Sequence, residues 1–224
     1  IANSFPNPSV GSVIVECDKK LYKNHKIVGF GYTEKGGRPH AEAIAIDRVK
    51  FNENKRYICF SSLEPCCHDG RDQSCVDKIL KNPINEVVFA LRDPDERVMG
   101  KGMKKLKKNG IKVRNGVLKN EALKLYKGYI MNKLNLRPFV TLKIATSLDG
   151  KIAYPNNKIK WITNSTSRKL VHHLRSESDA VLIGGNTLKI DNPSLDCRIM
   201  GLEGTSPLRV IISRKLDFPK NLNI

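Results

Sequence analysis

The chain has 224 residues, of which 40 are Lys or Arg and 22 are Asp or Glu, so its formal net charge is +18. A hydrophobic fraction of 40% with 28% charged residues is typical of a globular protein and excludes an intrinsically disordered chain. No apolar run approaches the roughly 18 residues that cross a bilayer, which excludes a membrane-spanning protein, and we find no secretory signal before the first predicted strand.

The first half of the chain alternates short apolar runs with amphipathic segments. Strands are predicted at 10–15, 26–32, 56–61, 85–91 and 111–113. Helices are predicted from residue 40, over 75–80, over 102–109, and in a basic segment that ends near residue 133. This alternation with short connections predicts a three-layer α/β domain over residues 1–136.

A second α/β unit is predicted over residues 137–224, beginning at the Arg137-Pro138 pair. Strands are predicted at 139–145, 180–184 and 208–213, with a helix over 165–176. A free-standing nucleotide-binding domain usually has five or six strands. We therefore expect this unit to be only part of a domain, and the chain to be a piece of a longer protein.

The positive charge is concentrated between Lys101 and Arg137, a stretch with twelve basic residues and one acidic residue, Glu121. Such an excess can bind nucleic acid, because Lys and Arg neutralise phosphates. The only aromatic residues of this stretch are Tyr126 and Tyr129, which is not the regular interleaving of aromatic residues that stacks on bases, and the rest of its composition fits a solvated helix face. A nucleic-acid partner is therefore disfavoured.

Six cysteines are present, and three of them, Cys66, Cys67 and Cys75, lie within ten residues. A secreted disulfide scaffold is shorter and denser in cysteine. The pattern therefore favours a local metal cluster in a reducing compartment, and we expect a cytoplasmic protein.

A second segment, His40-Ala-Glu42 at the start of a predicted helix, adds a candidate metal ligand and a carboxylate to these cysteines. One imidazole and the thiolates of Cys66 and Cys75 would give Zn²⁺ three protein ligands and leave a fourth position for water, as in catalytic zinc sites. Zinc lowers the pKa of such a water, and Glu42, which is not a ligand, can shuttle protons. The His-x-Glu and Pro-Cys elements are those of zinc-dependent nucleobase deaminases.

The spacing departs from the usual Pro-Cys-x-x-Cys, because Asp69 stands where the second cysteine is expected. Cys67 is too close to Cys66 to serve easily on the same tetrahedral ion, so Cys75 is the next candidate and His68 an alternative. A purely structural zinc knot would normally have four protein ligands and would not explain Glu42.

Several motifs in order resemble the bifunctional deaminase/reductase family of riboflavin biosynthesis. In the first half they are Pro6-Asn7-Pro8-x-Val10-Gly11, Gly37-x-Pro39-His40-Ala41-Glu42, Leu63-Glu64-Pro65-Cys66-x-His68-x-Gly70-Arg71-x-x-x-Cys75 and Asp93-Pro94-x-x-x-Val98-x-Gly100-x-Gly102. In the second half they are Ser147-Leu-Asp149-Gly150-Lys151-Ile-Ala153, Trp161-Ile-Thr163, Arg175-x-x-Ser178-Asp179-Ala180 and Gly185-x-Thr187-x-x-x-Asp191-x-Pro193-x-Leu195-x-x-Arg198.

The resemblance implies a cytidine-deaminase-like domain followed by part of a dihydrofolate-reductase-like α/β domain. It implies hydrolytic release of ammonia from a diamino-ribosylamino-pyrimidinone 5'-phosphate, then reduction of the ribosyl chain to ribityl by NADPH. In the deaminase it implies zinc on His40, Cys66 and Cys75, with Glu42 as the proton shuttle. Substrate contacts are implied at Asn7, His68, Arg71, Arg175, Leu195 and Arg198, and NADPH contacts at Ala145, Trp161, Thr187 and Asp191.

Some positions depart from the family pattern. Thr33 stands where the family usually has His, and two other departures are Ile159 and the Ser213-Arg214 pair. Two other functions stay open from the residues alone. One is a zinc deaminase that acts on a nucleobase in tRNA or on a free nucleoside, and the other is a basic, zinc-stabilised binding module without catalysis. For the family function we expect a phosphorylated pyrimidine as the small-molecule partner, no membrane partner, and a homo-oligomer.

Overall fold

A computed structural model describes most of the chain and divides it into two compact units, Asn3–Val140 and Thr141–Ile224. The described residues are 4–19, 23–68, 70, 72–154, 161–219 and 221–224. None of the described helices is both long and apolar enough to cross a membrane.

The first unit is built on a five-stranded sheet in the order β2-β1-β3-β4-β5. Strand β1 runs antiparallel to both β2 and β3, whereas β3, β4 and β5 are parallel. The strands are β1 (Gly11–Asp18), β2 (Lys26–Tyr32), β3 (Lys55–Leu63), β4 (Ile84–Leu91) and β5 (Lys112–Asn115). The helices are α1 (Ala41–Asp47), α2 (Cys75–Leu80), α3 (Lys101–Lys108) and α4 (Lys119–Asn135).

Helices cover both faces of this sheet. Successive residues of a strand point to opposite faces, and in β3 Tyr57 belongs to the cluster that packs α1, α2 and α3, whereas Ile58 belongs to another. Ser62 lies on the same face as Ile58, and its hydroxyl group is 2.6 Å from that of Tyr126 in α4. The predicted three-layer α/β architecture is confirmed.

Helix α1 lies directly on the backbone of β2 at two glycines. A Cβ atom on Gly29 would collide with the carbonyl oxygen of Ala45, and one on Gly31 with that of Ala41. Only glycine permits this approach. Helix α1, which carries Glu42, can therefore pack this close to β2 because residues 29 and 31 have no side chain.

The topology gathers three chain segments at one edge of the sheet. The carboxyl ends of parallel strands β3 and β4 meet there, at Leu63 and Leu91. Because β1 is antiparallel to β3, with Ser12 opposite Ser61, its amino-terminal end lies at the same edge. This is the edge at which α/β sheets commonly bind ligands.

Among its described residues, the second unit contains a two-stranded parallel sheet and two α-helices. These elements are α5 (Ser165–Ser176), β6 (Ala180–Gly184), α6 (Gly185–Asp191) and β7 (Leu208–Ile212). Helix α5 and strand β6 have the predicted bounds. Helix α6 was not predicted.

The prediction of a strand at 139–145 is wrong, because this segment is irregular throughout. Val140 and Leu142 are 79% and 80% exposed. A strand is defined by hydrogen bonds to a neighbour, and the described two-stranded sheet consists of β6 and β7 alone. An apolar, β-branched sequence without such a neighbour stays irregular.

Candidate metal centre and active-site cleft

Three of the predicted ligands converge at the sheet edge. His40 is the residue before α1, Cys75 is the first residue of α2, and Cys66 follows the end of β3. One ligand atom from each lies within 4.8 Å of the others. Nδ1 of His40 is 3.3 Å from Sγ of Cys75 and 3.4 Å from Sγ of Cys66.

This donor set fits Zn²⁺. Zinc–sulfur and zinc–nitrogen bonds of the usual length place tetrahedral ligand atoms about 3.5 Å apart, close to the two distances to His40. The sulfur of Cys66 also accepts the backbone N–H of Cys75 at 3.3 Å. The hydrogen bond between the two sulfurs lowers the pKa of Cys66 and raises that of Cys75, so Cys66 is the thiol of the pair that ionises first.

Cys67 faces a different environment from its neighbour Cys66. Its sulfur lies 3.6 Å from the carbonyl oxygen of Arg97, and the side chain packs against the core on the α1 side of the sheet. Burial raises the pKa of the Cys67 thiol. Cys67 is therefore absent from the cluster formed by His40, Cys66 and Cys75.

Glu42 lies in the first turn of α1, beside the three candidate ligands, and only 3% of it is exposed. Its Oε1 accepts a 2.9 Å hydrogen bond from the hydroxyl of Ser61, and its Oε2 lies 3.4 Å from Sγ of Cys75. Burial raises the pKa of this carboxyl group. A carboxyl group with a raised pKa takes up a proton more readily than a solvated one, which suits a proton carrier.

A cleft with a cavity volume of about 110 Å³ opens onto this cluster. The predicted substrate contact Asn7 lines it, donating a hydrogen bond from Nδ2 to the carbonyl oxygen of Gly37 at 2.8 Å. The same Nδ2 atom is 3.4 Å from Nε2 of His40. Asn7 thus touches the side of the imidazole that faces away from the sulfurs.

His68 also lines the cleft, as predicted for a substrate contact. Its Nδ1 atom is buried and has no hydrogen-bond partner among the described residues. A buried polar atom of this kind is a candidate for bonding to a ligand. The other predicted contact from this loop, Arg71, lies outside the described residues.

Thr33, which replaces the family's usual His, lines the cleft as well. Its Oγ1 accepts the backbone N–H of Val10 at 3.0 Å, and only 8% of the residue is exposed. The hydroxyl group is therefore engaged by the segment that leads into β1.

Glu64 organises one wall of the cleft, and sequence reasoning did not assign it a role. The residue is 2% exposed, and its carboxylate accepts backbone N–H groups of Gly100 at 2.9 Å, Met103 at 2.9 Å and Asp93 at 3.4 Å. It therefore ties the loop after β4 and the start of α3 to the strand end that carries Cys66. Its position just before Pro65-Cys66 was the available signal.

Helix α4 holds the same wall from the other side of the sheet. Tyr129 donates a hydrogen bond to Oδ1 of Asp93 at 2.8 Å, and Nζ of Lys133 is 2.7 Å from Oδ2 of Asp95. Asp93, Asp95 and Tyr129 all line the cleft. Sequence reasoning missed these contacts, because they join residues more than thirty positions apart.

In the second unit the predicted substrate contacts surround Asp196. Nη1 of Arg175 donates to its carbonyl oxygen at 3.0 Å, and Nε of Arg198 is 3.4 Å from its Oδ1. Nε of Arg175 is buried without a hydrogen-bond partner among the described residues. Leu195 is 5% exposed and has a φ of 56°, a strained value for leucine.

The predicted NADPH contacts lie on three separate segments. Thr187 and Asp191 are both exposed residues of α6. The ring of Trp161 is 58% exposed and lies under the guanidinium group of Arg168, at 4.9 Å. Ala145 is half-buried in the irregular segment. Of these four residues, Thr187 and Asp191 therefore lie on one element, α6.

Family models match both halves of the chain. The cytidine and deoxycytidylate deaminase zinc-binding region matches residues 2–91, and the RibD C-terminal domain matches residues 138–224.

Curated relatives match over almost the whole chain. A riboflavin biosynthesis protein RibD from Aquifex aeolicus is 41% identical over 99% of this chain and 60% of its own length. The protein of the same name from Escherichia coli is 37% identical over 87% of this chain and 51% of its own length. The chain thus spans little more than half the length of these relatives.

Solved structures agree with this pattern. A diaminohydroxyphosphoribosylaminopyrimidine deaminase/5-amino-6-(5-phosphoribosylamino)uracil reductase from Thermotoga maritima is 38% identical, with a TM-score of 0.89 over 100% of this chain and 62% of that one. RibD from Acinetobacter baumannii is 36% identical, with a TM-score of 0.85 over 97% of this chain and 60% of that one. The predicted fold class is confirmed.

Proposed function

The chain belongs to the RibD family of riboflavin biosynthesis proteins, and we propose on this premise that its first unit deaminates a phosphorylated diaminopyrimidine by hydrolysis. The observation that carries the proposal is the buried Glu42 beside the converging side chains of His40, Cys66 and Cys75. A structural metal site does not require a carboxylate that is not a ligand, whereas a hydrolytic site requires a group that accepts and donates a proton.

His40, Cys66 and Cys75 would hold the zinc ion. When bound, Zn²⁺ polarises a coordinated oxygen and makes water more acidic. Three ligands from the chain leave room for one more, as a catalytic site requires.

Glu42 would carry the proton through the reaction. A water oxygen bonds to the ring carbon that bears the exocyclic amine, and a proton of that water passes to Glu42. Glu42 then gives the proton to the amine nitrogen, the carbon–nitrogen bond breaks, and ammonia leaves. Ser61 would keep the receiving oxygen in place, because it binds the other carboxylate oxygen at 2.9 Å.

Asn7 and His68 would orient the pyrimidine over Glu42. Asn7 offers both a donor and an acceptor to a ring edge, and the unpartnered Nδ1 of His68 offers one more polar atom. The burial of Glu42, which is 3% exposed, supports a cleft from which a seated base excludes bulk water.

The second unit would take part in reduction of the ribosyl chain by NADPH. Arg175 and Arg198 would bind the substrate phosphate with Leu195 beside them, and the unpartnered Nε of Arg175 supports this role. Ala145, Trp161, Thr187 and Asp191 would contact NADPH. These assignments come from the family motifs.

We also expect the protein to work as a homo-oligomer in the cytoplasm. All six cysteines are free, which suits a reducing compartment. In the second unit Leu182 and Leu208 are 58% and 69% exposed, an apolar surface that either further chain or another copy would cover. Light scattering of the purified chain tests the oligomeric state.

The function is tested by assaying ammonia release from the diaminopyrimidine ribosylamine phosphate, then NADPH oxidation in the same tube. Ammonia release that depends on zinc is the expected result for the first unit. Zinc-loaded protein that releases no ammonia contradicts the deaminase assignment. Release of ammonia without NADPH oxidation contradicts only the reductase role of the second unit.

A further inference from the structure

Two arginines, Arg38 and Arg97, are among the described residues that line the deaminase cleft. The guanidinium group of Arg97 is already engaged by both oxygens of Asp95, with Nε at 2.9 Å and Nη2 at 2.7 Å. Lys133 binds the same carboxylate. These two hydrogen bonds therefore hold Arg97 against Asp95 in the wall of the cleft.

Arg38 is held much more weakly. Its Nη1 is 3.1 Å from Oδ2 of Asp72, whose side chain is 57% exposed, whereas the side chain of Arg38 is 26% exposed. An ion pair with one solvated partner contributes little, because water competes for the carboxylate. An incoming dianion can displace Asp72 from this guanidinium.

The position of the guanidinium group depends on a glycine. A Cβ atom on Gly70 would lie 2.7 Å from Nη2 of Arg38, so a side chain there would push the arginine away. Gly70 belongs to the loop that also carries His68 and Asp72. Arg38 lies two residues before His40, and its guanidinium group thus reaches across to this loop.

We propose that Arg38 binds the phosphate of the substrate in the deaminase cleft and so selects for phosphorylated pyrimidines. This inference rests on the proposed deaminase function. The base must reach Glu42, and its ribosyl phosphate must then extend along the cleft, where Arg38 offers paired N–H donors. Guanidinium groups bind phosphate oxygens through two parallel hydrogen bonds. Asp72 holds the arginine in place until the phosphate arrives.

The proposal is tested by steady-state ammonia release from the phosphorylated substrate and from its dephosphorylated form. Arg38→Ala should raise KM for the phosphorylated form by about ten- to a hundredfold and leave kcat within about twofold. KM for the dephosphorylated form should not change. Arg38→Lys should recover part of the loss, because it keeps the charge but not the paired geometry.

Asp72→Asn provides a variant with the opposite effect. Removal of the competing carboxylate should lower KM for the phosphorylated substrate by about two- to threefold. Inorganic phosphate should inhibit the wild type competitively, and more weakly in Arg38→Ala. The matched control is Arg48→Ala, because Arg48 lies over the ring of Phe30, outside the cleft, and bonds the Phe30 carbonyl oxygen.

The outcomes separate the two proposals. Equal KM values for wild type and Arg38→Ala on the phosphorylated substrate overturn the role of Arg38 while the deaminase function stands. An equal loss on both substrates in Arg38→Ala and Arg38→Lys, with zinc content retained, makes Arg38 structural and also overturns the role. Zinc-loaded wild type that deaminates neither substrate overturns the deaminase function, and the role of Arg38 falls with it.

Discussion

The hydroxyl group of Ser61 donates a 2.9 Å hydrogen bond to Oε1 of Glu42, and both residues are buried. Ser61 lies near the end of β3 and Glu42 in the first turn of α1, so this bond links the sheet to the helix. It fixes one carboxylate oxygen and leaves the other facing Sγ of Cys75. The orientation of the proposed proton carrier is thus set by the sheet.

Ser61→Ala should therefore slow ammonia release without loss of zinc. A hydrogen bond to a charged group contributes about 1.5–3 kcal/mol, so kcat should fall by roughly ten- to a hundredfold. The control is Ser62→Ala, because the Ser62 hydroxyl bonds Tyr126 of α4 at 2.6 Å and does not touch Glu42. An equal effect of both changes on kcat contradicts a specific role for Ser61.

Gly31→Ala should displace α1 and weaken metal binding. A Cβ atom at this position collides with the carbonyl oxygen of Ala41, the residue between His40 and Glu42. We expect a loss of about 1–3 kcal/mol in the free energy of unfolding, with weaker zinc binding in a titration. Gly11→Ala is the matched control, because no atom lies within 4 Å of its Cβ position.

Thermal unfolding and a zinc titration distinguish the two glycine variants. Gly11→Ala should change the free energy of unfolding by less than about 0.5 kcal/mol. Zinc affinity of Gly31→Ala equal to that of the wild type contradicts the view that β2 places the metal ligand through α1.

Cys75→Ser should abolish zinc binding, whereas Cys67→Ser should not. The sulfur of Cys75 lies in the cluster with His40 and Cys66, whereas that of Cys67 faces the carbonyl oxygen of Arg97. Elemental analysis should find about one zinc per chain in Cys67→Ser and almost none in Cys75→Ser. Full retention of zinc in Cys75→Ser would assign the third ligand to His68 or Cys67.

Asp95 should stabilise the fold at neutral pH and cease to do so in acid. Its hydrogen bonds to Arg97 and Lys133 hold the pKa of this carboxyl well below its usual value of about 4. A group whose pKa is lower in the folded state stabilises the fold above the unfolded-state pKa, and the contribution is lost as the pH falls through the folded-state pKa. Asp95→Asn should therefore cost about 1–3 kcal/mol at pH near 7.

Denaturant unfolding at two pH values checks this sign. The difference between wild type and Asp95→Asn should shrink below about pH 4. Asp47→Asn should change little, because Asp47 is 66% exposed in its ion pair with Lys78. A difference for Asp95→Asn that is the same at both pH values contradicts the assigned ion pairs.

The sequence predicted elements best where local signals agree. Helix α2 was predicted with its observed bounds, and Ser74 caps it by accepting the backbone N–H of Asp77. The segment 139–145 was predicted as a strand from its apolar, β-branched composition alone. Strand formation depends on a neighbour, which composition does not supply.

The same limit applies to the cleft. The motifs located His40, Glu42, Cys66 and Cys75, because few functions need these residue types in this order. Ser61 and Glu64 were missed as functional residues, since their roles consist of contacts to distant parts of the chain. Arg38 was missed because the motif Gly37-x-Pro39-His40 allows any residue at position 38.

Glu42→Gln is the most direct test that this cleft performs hydrolytic deamination. The amide has the same shape as the carboxyl group but cannot carry the proton, so the variant should keep about one zinc per chain. Ammonia release should fall by at least about a hundredfold. Glu42→Gln protein that binds zinc and releases ammonia at the wild-type rate would contradict the mechanism.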